Sequence, residues 1–362
     1  MRELVIAGRR IADDSDCFVI ADVSHNHQGS VDLAREMFRV AKECGVDAVK
    51  LQRRSKTQLF TAQVYTAPPE SKYADLREYA AMRAKRELTK EGYLELRKYA
   101  NELGLVFMVT PFDFESVDFL ADVGLDAIKV ASGDAKNVPL LEYVSNLNLP
   151  TIVSTGGAGM EDVERAHSVL SRLKRQFCLL QCTSTYPCPD ADMNLRVIQV
   201  LRERFPDTII GLSSHHPENI MEPVAYALGA RIVEKHFTLS RKLGLGDHAI
   251  SLEPRMLRDL VNRLRATKLA LGDGSKRELT SEATGILRLG KKLVAAHPLS
   301  VGHTLRREDI SIKGPGDGIP PCRIEDFIGR RVTQIFIADG EITYENTAPQ
   351  VIRTLQQQAS EA

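Results

Sequence analysis

The fold is decided by two runs, Thr208-Ile-Ile-Gly-Leu-Ser213-Ser-His215 and Arg231-Ile-Val-Glu234-Lys-His236-Phe-Thr238, separated by the helix-like segment Glu218 to Gly229. Each run is short, rich in β-branched residues and polar towards its end, the pattern of a parallel strand buried on both faces. Side chains alternate faces along a strand, so Ser213 shares a face with His215, and Glu234 shares one with His236. On neighbouring strands, two imidazoles and a carboxylate converge at the carboxyl ends. That set suits a divalent metal, because imidazole binds Zn, Mn, Fe or Ni and a carboxylate hardens the site. A single strand histidine is more simply a hydrogen-bonded core residue. The repeat of the pair at the same place on consecutive strands favours ligation.

Outward from this unit, buried-strand runs alternate with amphipathic segments along the chain. Strands are expected at Phe18 to Ser24, Ala48 to Arg53, Val106 to Phe112, Ala127 to Ser132, Thr151 to Thr155 and Cys178 to Thr183, ahead of the two quoted above. Helices are expected at Val31 to Cys44, Lys90 to Leu103, Ser116 to Val123, Pro139 to Ser145, Met160 to Arg172, Leu195 to Arg204 and Met256 to Leu271. Eight strand-helix units are the number that closes a (β/α)₈ TIM barrel. A doubly wound open sheet is the alternative, but no G-x-G-x-x-G opens the first helix. Glu3 to Ile11 reads as a hairpin turning at Gly8 and covering one end of the barrel. Ser55 to Glu87 is a long insertion after the second strand, placed to fold over the mouth. The charge run Arg83 to Glu91 reads as a solvated helix start.

Barrel chemistry sits at the carboxyl ends of the strands. Those ends present Asp22, Lys50 with Gln52, Thr110, Lys129 with Ser132, Ser154, Ser184, Ser213 with His215, and Glu234 with His236. Strands that emerge into solvent also turn polar, so each residue alone says little. The lysines in Ala-Val-Lys50-Leu and Ala-Ile-Lys129-Val say more, because a buried ammonium needs a partner. Two lysines and several hydroxyls at one mouth would hold a phosphate.

The barrel domain with its hairpin is assigned residues 1–279, a linker 280–292, and a small β-rich domain 293–349, followed by a tail 350–362 expected to fray. Lys and Arg number 48, as do Asp and Glu, so no overall field draws nucleic acid or a membrane surface. No apolar run approaches the roughly 20 residues that span a bilayer. Six cysteines without zinc-type spacing read as reduced thiols of a cytoplasmic protein.

From about Phe18 onward the chain resembles the sialic acid synthase family. The motifs that carry the resemblance are Ile20-Ala-Asp-Val-Ser-His-Asn26-His27-Gln-Gly29, Ala48-Val-Lys50-Leu-Gln52, Thr110-Pro-Phe-Asp113, Lys129-Val-Ala-Ser132-Gly133, Ser154-Thr-Gly156, Cys182-Thr-Ser184-Thr-Tyr186-Pro187, Gly211-Leu-Ser213-Ser-His215, Glu234-Lys-His236 and Asp247-His248-Ala-Ile-Ser-Leu-Glu253-Pro254. The small domain resembles the family's antifreeze-like (SAF) domain. The resemblance implies a transferase that condenses phosphoenolpyruvate with N-acetylmannosamine or a related, modified amino sugar, giving a sialic acid or other 3-deoxy-ulosonic acid plus phosphate by C–O cleavage. Lys50, Thr110, Lys129, Ser132, Ser154, Ser184 and Ser213 match the phosphoenolpyruvate positions, with Gln52 beside them in the substrate-binding set. His215 and His236 match the ligands of a divalent metal, usually Mn²⁺, with Mg²⁺ or Co²⁺ as alternatives. Glu234, Asp247 and Tyr186 match positions around the sugar and the reacting centre, and either Asp22 or Glu234 handles the proton. In relatives the small domain closes the partner's site across a homodimer, so phosphoenolpyruvate, a sugar aldehyde and a second copy are the expected partners. His27 flanks the mouth as a further substrate contact.

The chain departs from the family pattern with Asp22 for Glu, Ser24-His25 for Gly-Ile, Gln28 for Asn and Ser214 for Asp. Gly314 stands where relatives carry the arginine of Arg-Pro-Gly, with Lys313 beside it as a point charge. The alternatives are the same chemistry on a non-acylated aldose, and a non-catalytic phosphoenolpyruvate- or sugar-binding protein.

Overall fold

The computed structural model describes residues 2–244 and 247–349, and the expected tail 350–362 lies outside them. The chain divides into two units, residues 1–273 and 274–362. The division precedes the expected 279/280 boundary, and a helix forms within the expected linker.

The first unit opens with β1 (Glu3–Ile6) and β2 (Arg9–Ala12), an antiparallel hairpin that turns at Gly8, whose φ is 76°. Then come β3 (Phe18–Ser24), α1 (Val31–Cys44), β4 (Ala48–Arg53), α2 (Ala62–Tyr65), α3 (Ala74–Arg86) and α4 (Lys90–Glu102). These are followed by β5 (Val106–Pro111), α5 (Phe114–Val123), β6 (Ala127–Val130), α6 (Val138–Ser145), β7 (Thr151–Ser154) and α7 (Met160–Arg172). The unit ends with β8 (Phe177–Cys182), α8 (Val197–Arg204), β9 (Ile209–Ser214), α9 (Met221–Ala227), β10 (Ile232–His236) and α10 (Pro254–Leu271). Strands β3 to β10 form a closed parallel barrel in chain order, with β10 pairing β3.

Alternation builds the barrel. Along β3, Val19, Ala21 and Val23 join the core between strands and helices, whereas Phe18 and Ile20 point into the barrel. The inward layer includes Ala48, Met108, Ile152, Leu180 and Ile232, and Leu4, Ile6 and Ile11 of the hairpin plug it from below. One pleat further towards the carboxyl ends, the inward positions are Asp22, Lys50, Thr110, Lys129, Ser154, Ser213 and Glu234, all buried. The barrel interior thus switches from apolar floor to polar mouth within two residues of each strand. Lys235 alternates outward and meets Glu222 at 3.2 Å.

Gly211 lies in the same inward register, and a Cβ there would collide with the Ile232 carbonyl and come within 2.5 Å of Leu180. Helix α1 shows how the outer layer is set. Ser30 caps its first turn by accepting from the Leu33 amide, Gly45 ends it at φ 88°, and Ala34, Met37, Phe38 and Ala41 face the barrel.

The second unit holds α11 (Ala283–Leu289), β11 (Lys292–Ala295), β12 (Ile310–Lys313), β13 (Arg331–Val332) and β14 (Thr347–Ala348). β11 pairs with β12 and β13 with β14, both antiparallel, around a core of Leu293, Leu305, Ile310, Phe327, Val332, Phe336 and Ile342. Lys313 pairs with Asp339 inside this unit.

Candidate active site

Fourteen of the site residues expected from the sequence line one cavity of ≈ 690 Å³ at the carboxyl ends of the barrel strands: Asp22, Lys50, Gln52, Thr110, Lys129, Ser132, Ser154, Ser184, Tyr186, Ser213, His215, Glu234, His236 and Asp247.

At its base Lys50 donates to Thr110 Oγ1 at 3.0 Å and lies 3.0 Å from Asp22 and 3.9 Å from Glu234. Lys129 lies 3.7 Å from Glu234, and burial is the main reason its pKa falls below the ordinary lysine value. Asp22 also accepts from the Ser24 amide at 2.9 Å and from Gln52 at 3.2 Å. Burial works against its charge, but Lys50 and His236 outweigh burial and hold the carboxyl below the usual range. Glu234 differs: its Oε2 is buried without a hydrogen-bond partner.

Hydroxyls gather on the β6 to β8 side. Ser132 Oγ accepts from the Gly156 amide at 3.0 Å, and a Cβ on Gly156 would strike both Ser184 and Ser132. Glycine at 156 is what lets the two hydroxyls converge. Ser154 Oγ is buried with no partner. Buried polar atoms are normally paired, so the bare Ser154 hydroxyl and Glu234 oxygen suit a ligand's polar groups.

The rings of His215 and His236 stand 5.6 Å apart, and Tyr186 lies 4.0 Å from His215. His215 Nδ1 is 2.8 Å from the Thr183 carbonyl, to which it donates, leaving the lone pair on Nε2. His236 Nδ1 is buried, 3.3 Å from Asp22 Oδ2 but without a hydrogen bond. Among the described residues no group of three or more His, Cys, Asp or Glu is arranged to hold a metal ion. Two imidazoles, one with an orphaned buried nitrogen, are the residues that would hold a divalent cation here.

The insertion supplies what the sequence reading missed. Helix α3 brings Tyr79 and Arg83 into the cavity wall, joined by Arg54 and Phe112. Arg83 lies 3.3 Å from Asp247, which also accepts from Ser24 Oγ at 2.5 Å. Burial opposes the charge of Asp247, yet His236, Arg83 and the Ser24 hydroxyl hold its carboxyl well below the usual range.

The expectation that Arg83 to Glu91 is a solvated helix start is corrected at Arg83 and Glu87, whereas Lys85 and Glu91 are exposed. Arg83 is buried, and Glu87 accepts from His25 Nε2 at 2.8 Å, Arg53 at 2.9 Å and the Arg54 amide at 3.1 Å. The charges are buried because each has an opposite partner from another segment. His27 is also corrected: it does not line the cavity, its Nδ1 accepts from the Gly29 amide, and burial lowers its pKa to about 3. His216 turns away to Asp190 at 2.7 Å, as alternation requires.

A parallel barrel whose mouth combines buried lysines, hydroxyls, carboxylates and two imidazoles is an enzyme scaffold suited to a small polyanionic substrate. Residues 37–276 match the NeuB family and residues 292–346 match the SAF domain. The chain is 35% identical over 340 residues to N-acetylneuraminate-9-phosphate synthase of Mus musculus, covering 94% of this chain and 95% of that protein. It is 35% identical over 325 residues to N,N'-diacetyllegionaminic acid synthase of Campylobacter jejuni, covering 89% of this chain and 97% of that one. The crystal structure of N-acetylneuraminic acid synthetase from Leptospira borgpetersenii, in complex with citrate, superposes with a TM-score of 0.69 at 30% identity, over 79% of this chain and 95% of that one. The chain belongs to the NeuB, or sialic acid synthase, family and is an enzyme of that type.

Proposed function

We propose that the protein condenses phosphoenolpyruvate with a sugar aldehyde, N-acetylmannosamine or a related amino sugar, to give a 3-deoxy-ulosonic acid and phosphate. The observation that carries this reading is the joining, in one cavity, of the buried Lys50–Lys129 pair and the Ser132–Gly156–Ser184 cradle with the His215–His236 pair and Glu234. The similarity to named synthases of sialic and legionaminic acids supports it.

The donor carries a carboxylate and a phosphate, so the two ammonium groups and the hydroxyls of Thr110, Ser132, Ser154, Ser184 and Ser213 bind and orient it. Carbon 3 of the donor attacks the aldehyde carbon, forming the new C–C bond, and the aldehyde oxygen becomes a hydroxyl. Water adds at carbon 2, the carbon–oxygen bond to phosphate breaks, and a ketone remains. Glu234 is the group that exchanges the proton: its Oε2 accepts no hydrogen bond and faces Lys129 only at 3.7 Å, whereas Asp22 is engaged by Lys50, Gln52 and the Ser24 amide. A divalent cation held by His215 and His236, Mn²⁺ first with Mg²⁺ or Co²⁺ as alternatives, supplies Lewis acidity towards the aldehyde oxygen when bound. Asp247 and Tyr186 position the sugar at the mouth.

The SAF match and the exposure of Leu289, Ile335 and Ile337 in the second unit support a homodimer in which that unit closes the partner's site. A cytoplasmic location is favoured by six cysteines without a disulfide. Among the described residues no helix is long and apolar enough to cross a membrane.

Phosphate release from phosphoenolpyruvate with Mn²⁺, across N-acetylmannosamine, diamino-hexose analogues and plain aldoses, tests the proposal, with product mass checked. Stoichiometric phosphate and a product with the mass of the aldose plus pyruvic acid are expected with at least one acylated amino sugar. Donor binding without turnover on any aldehyde would favour the binding-protein alternative.

A further inference from the structure

The base of the cavity is balanced in charge: Lys50 and Lys129 face Asp22 and Glu234. The rim is not. Arg83 has Asp247 as its counter-ion, but among the described residues no carboxylate comes within 4.0 Å of the Arg54 guanidinium. Glu87 is the acid best placed to neutralise Arg54, and its oxygens are taken by Arg53, His25 and the Arg54 backbone amide.

Arg54 is nonetheless only 6% exposed and lines the cavity. Its guanidinium lies over the Phe112 ring at 3.6 Å and donates to His25 Nδ1 at 3.2 Å. His25 in turn donates from Nε2 to Glu87 at 2.8 Å, so the imidazole is fixed as a neutral acceptor for Arg54. Burial is the main reason the Arg54 pKa falls; Arg83 adds to it, while Tyr79, Glu87 and Asp247 act the other way from beyond contact distance. A desolvated guanidinium, stacked and oriented but with no carboxylate in ion-pair contact, is arranged for an anion that arrives with the ligand.

Arg54 and the hydroxyl cradle enter the cavity from different strands. The hydroxyl cradle stands on β6 to β8, whereas Arg54 follows β4, directly across the ring from β8. Arg54 also lies four residues beyond Lys50, just past the end of β4. The space between suits an extended sugar placed end to end with a three-carbon donor.

We propose that Arg54, backed by Arg83, forms an anion subsite at the cavity rim that takes a negatively charged substituent, a phosphate monoester or a carboxylate, at the far end of the acceptor sugar. This rests on the condensation proposed above and narrows its acceptor class. Arg54 determines specificity, and His25 is a positioning residue that aims it.

The test compares a neutral N-acylated hexosamine, its 6-phosphate and the matching 6-carboxylate on the full-length protein. Binding is read by calorimetry without donor, and kcat/KM by phosphate release with donor and Mn²⁺. One charged sugar is expected to bind at least tenfold more tightly than the neutral one, equivalent to about 1.4 kcal/mol. In Arg54→Gln that ratio should fall about tenfold or more, and in Arg54→Lys it should fall part of the way, because an ammonium lacks the guanidinium fork. Preference for the ester identifies phosphate as the ligand group, and preference for the acid identifies carboxylate. Equal binding of all three sugars by the unaltered protein overturns the subsite whether or not the variants fold, and so does a preference that survives in Arg54→Gln. Preference without turnover would remove the proposed condensation and keep the subsite. Turnover without preference would do the reverse.

Discussion

Replacing Lys50 by methionine removes one buried cation while keeping an unbranched side chain of similar length. In the folded protein Lys50 contacts Thr110 at 3.0 Å and Asp22 at 3.0 Å, and lies 3.9 Å from Glu234. A hydrogen bond to a charged group contributes roughly 1.5–3 kcal/mol, so losing one such contact to the donor raises the half-saturating phosphoenolpyruvate concentration about 10- to 150-fold. The variant should also become acid-sensitive. Asp22 is buried, which by itself favours the protonated form, and it is held below the usual carboxylate range by Lys50 and His236. A depressed carboxyl stabilises the fold above its unfolded-state pKa, and that stability is lost as the pH falls through the folded-state value. Without Lys50 the folded-state value rises, so the loss begins at a higher pH. Phosphate release against donor concentration measures the first effect, and thermal unfolding between pH 4 and 8 measures the second, each kcal/mol shifting Tm by roughly 2–4 °C. A half-saturating concentration within threefold of the parent, with an unmoved acid limb, would refute both the donor role and the charge balance described for the cavity base.

Chelation, or His236→Ala, should abolish turnover nearly completely and, in the variant, lower the Mn²⁺ retained after dialysis; undiminished turnover would remove the metal role. Gly211→Ala forces a methyl against the Ile232 carbonyl and Leu180, and should cost about 1–3 kcal/mol of stability as judged by denaturant midpoint. An unchanged midpoint would mean that the barrel relaxes freely there. A chain ending at Asp273 should lose both dimerisation in light scattering and most activity; an active monomer would contradict closure by the partner's second unit.

The barrel was legible because its signals are local. Phe18–Ser24, Ala48–Arg53, Val31–Cys44 and Met160–Arg172 have the bounds read from their hydrophobic period, and the remaining barrel strands differ by one or two residues at one or both ends. The inward residues were legible for the same reason: two lysines and two histidines interrupt apolar strands, and alternation assigns their face. The insertion carried no such signal. Arg83 is buried by Asp247, 164 positions away, and Arg54 by Phe112 and His25, so their burial depends on partners that pair only in the folded chain. Ser24 and His25 reach Asp247 and Arg54 respectively, which ties the end of β3 to the cavity rim. Ser24 adopts φ 52° at the irregularity where β3 shifts register against β4, turning its amide to Asp22 and its hydroxyl to Asp247. The short strands of the second unit have no sustained period, so composition could mark that region as β-rich without placing its pairings.

The most direct test of the condensation uses phosphoenolpyruvate labelled with ¹⁸O at the oxygen bridging carbon 2 and phosphorus, with an accepted aldose and Mn²⁺, and mass spectrometry of both products. Attack by carbon 3 followed by carbon–oxygen cleavage predicts that the label leaves in inorganic phosphate, together with a sugar acid of the summed carbon skeleton. Label retained in pyruvate or in the sugar acid would mean that the phosphorus–oxygen bond breaks instead, and would contradict the chemistry assigned to this cavity.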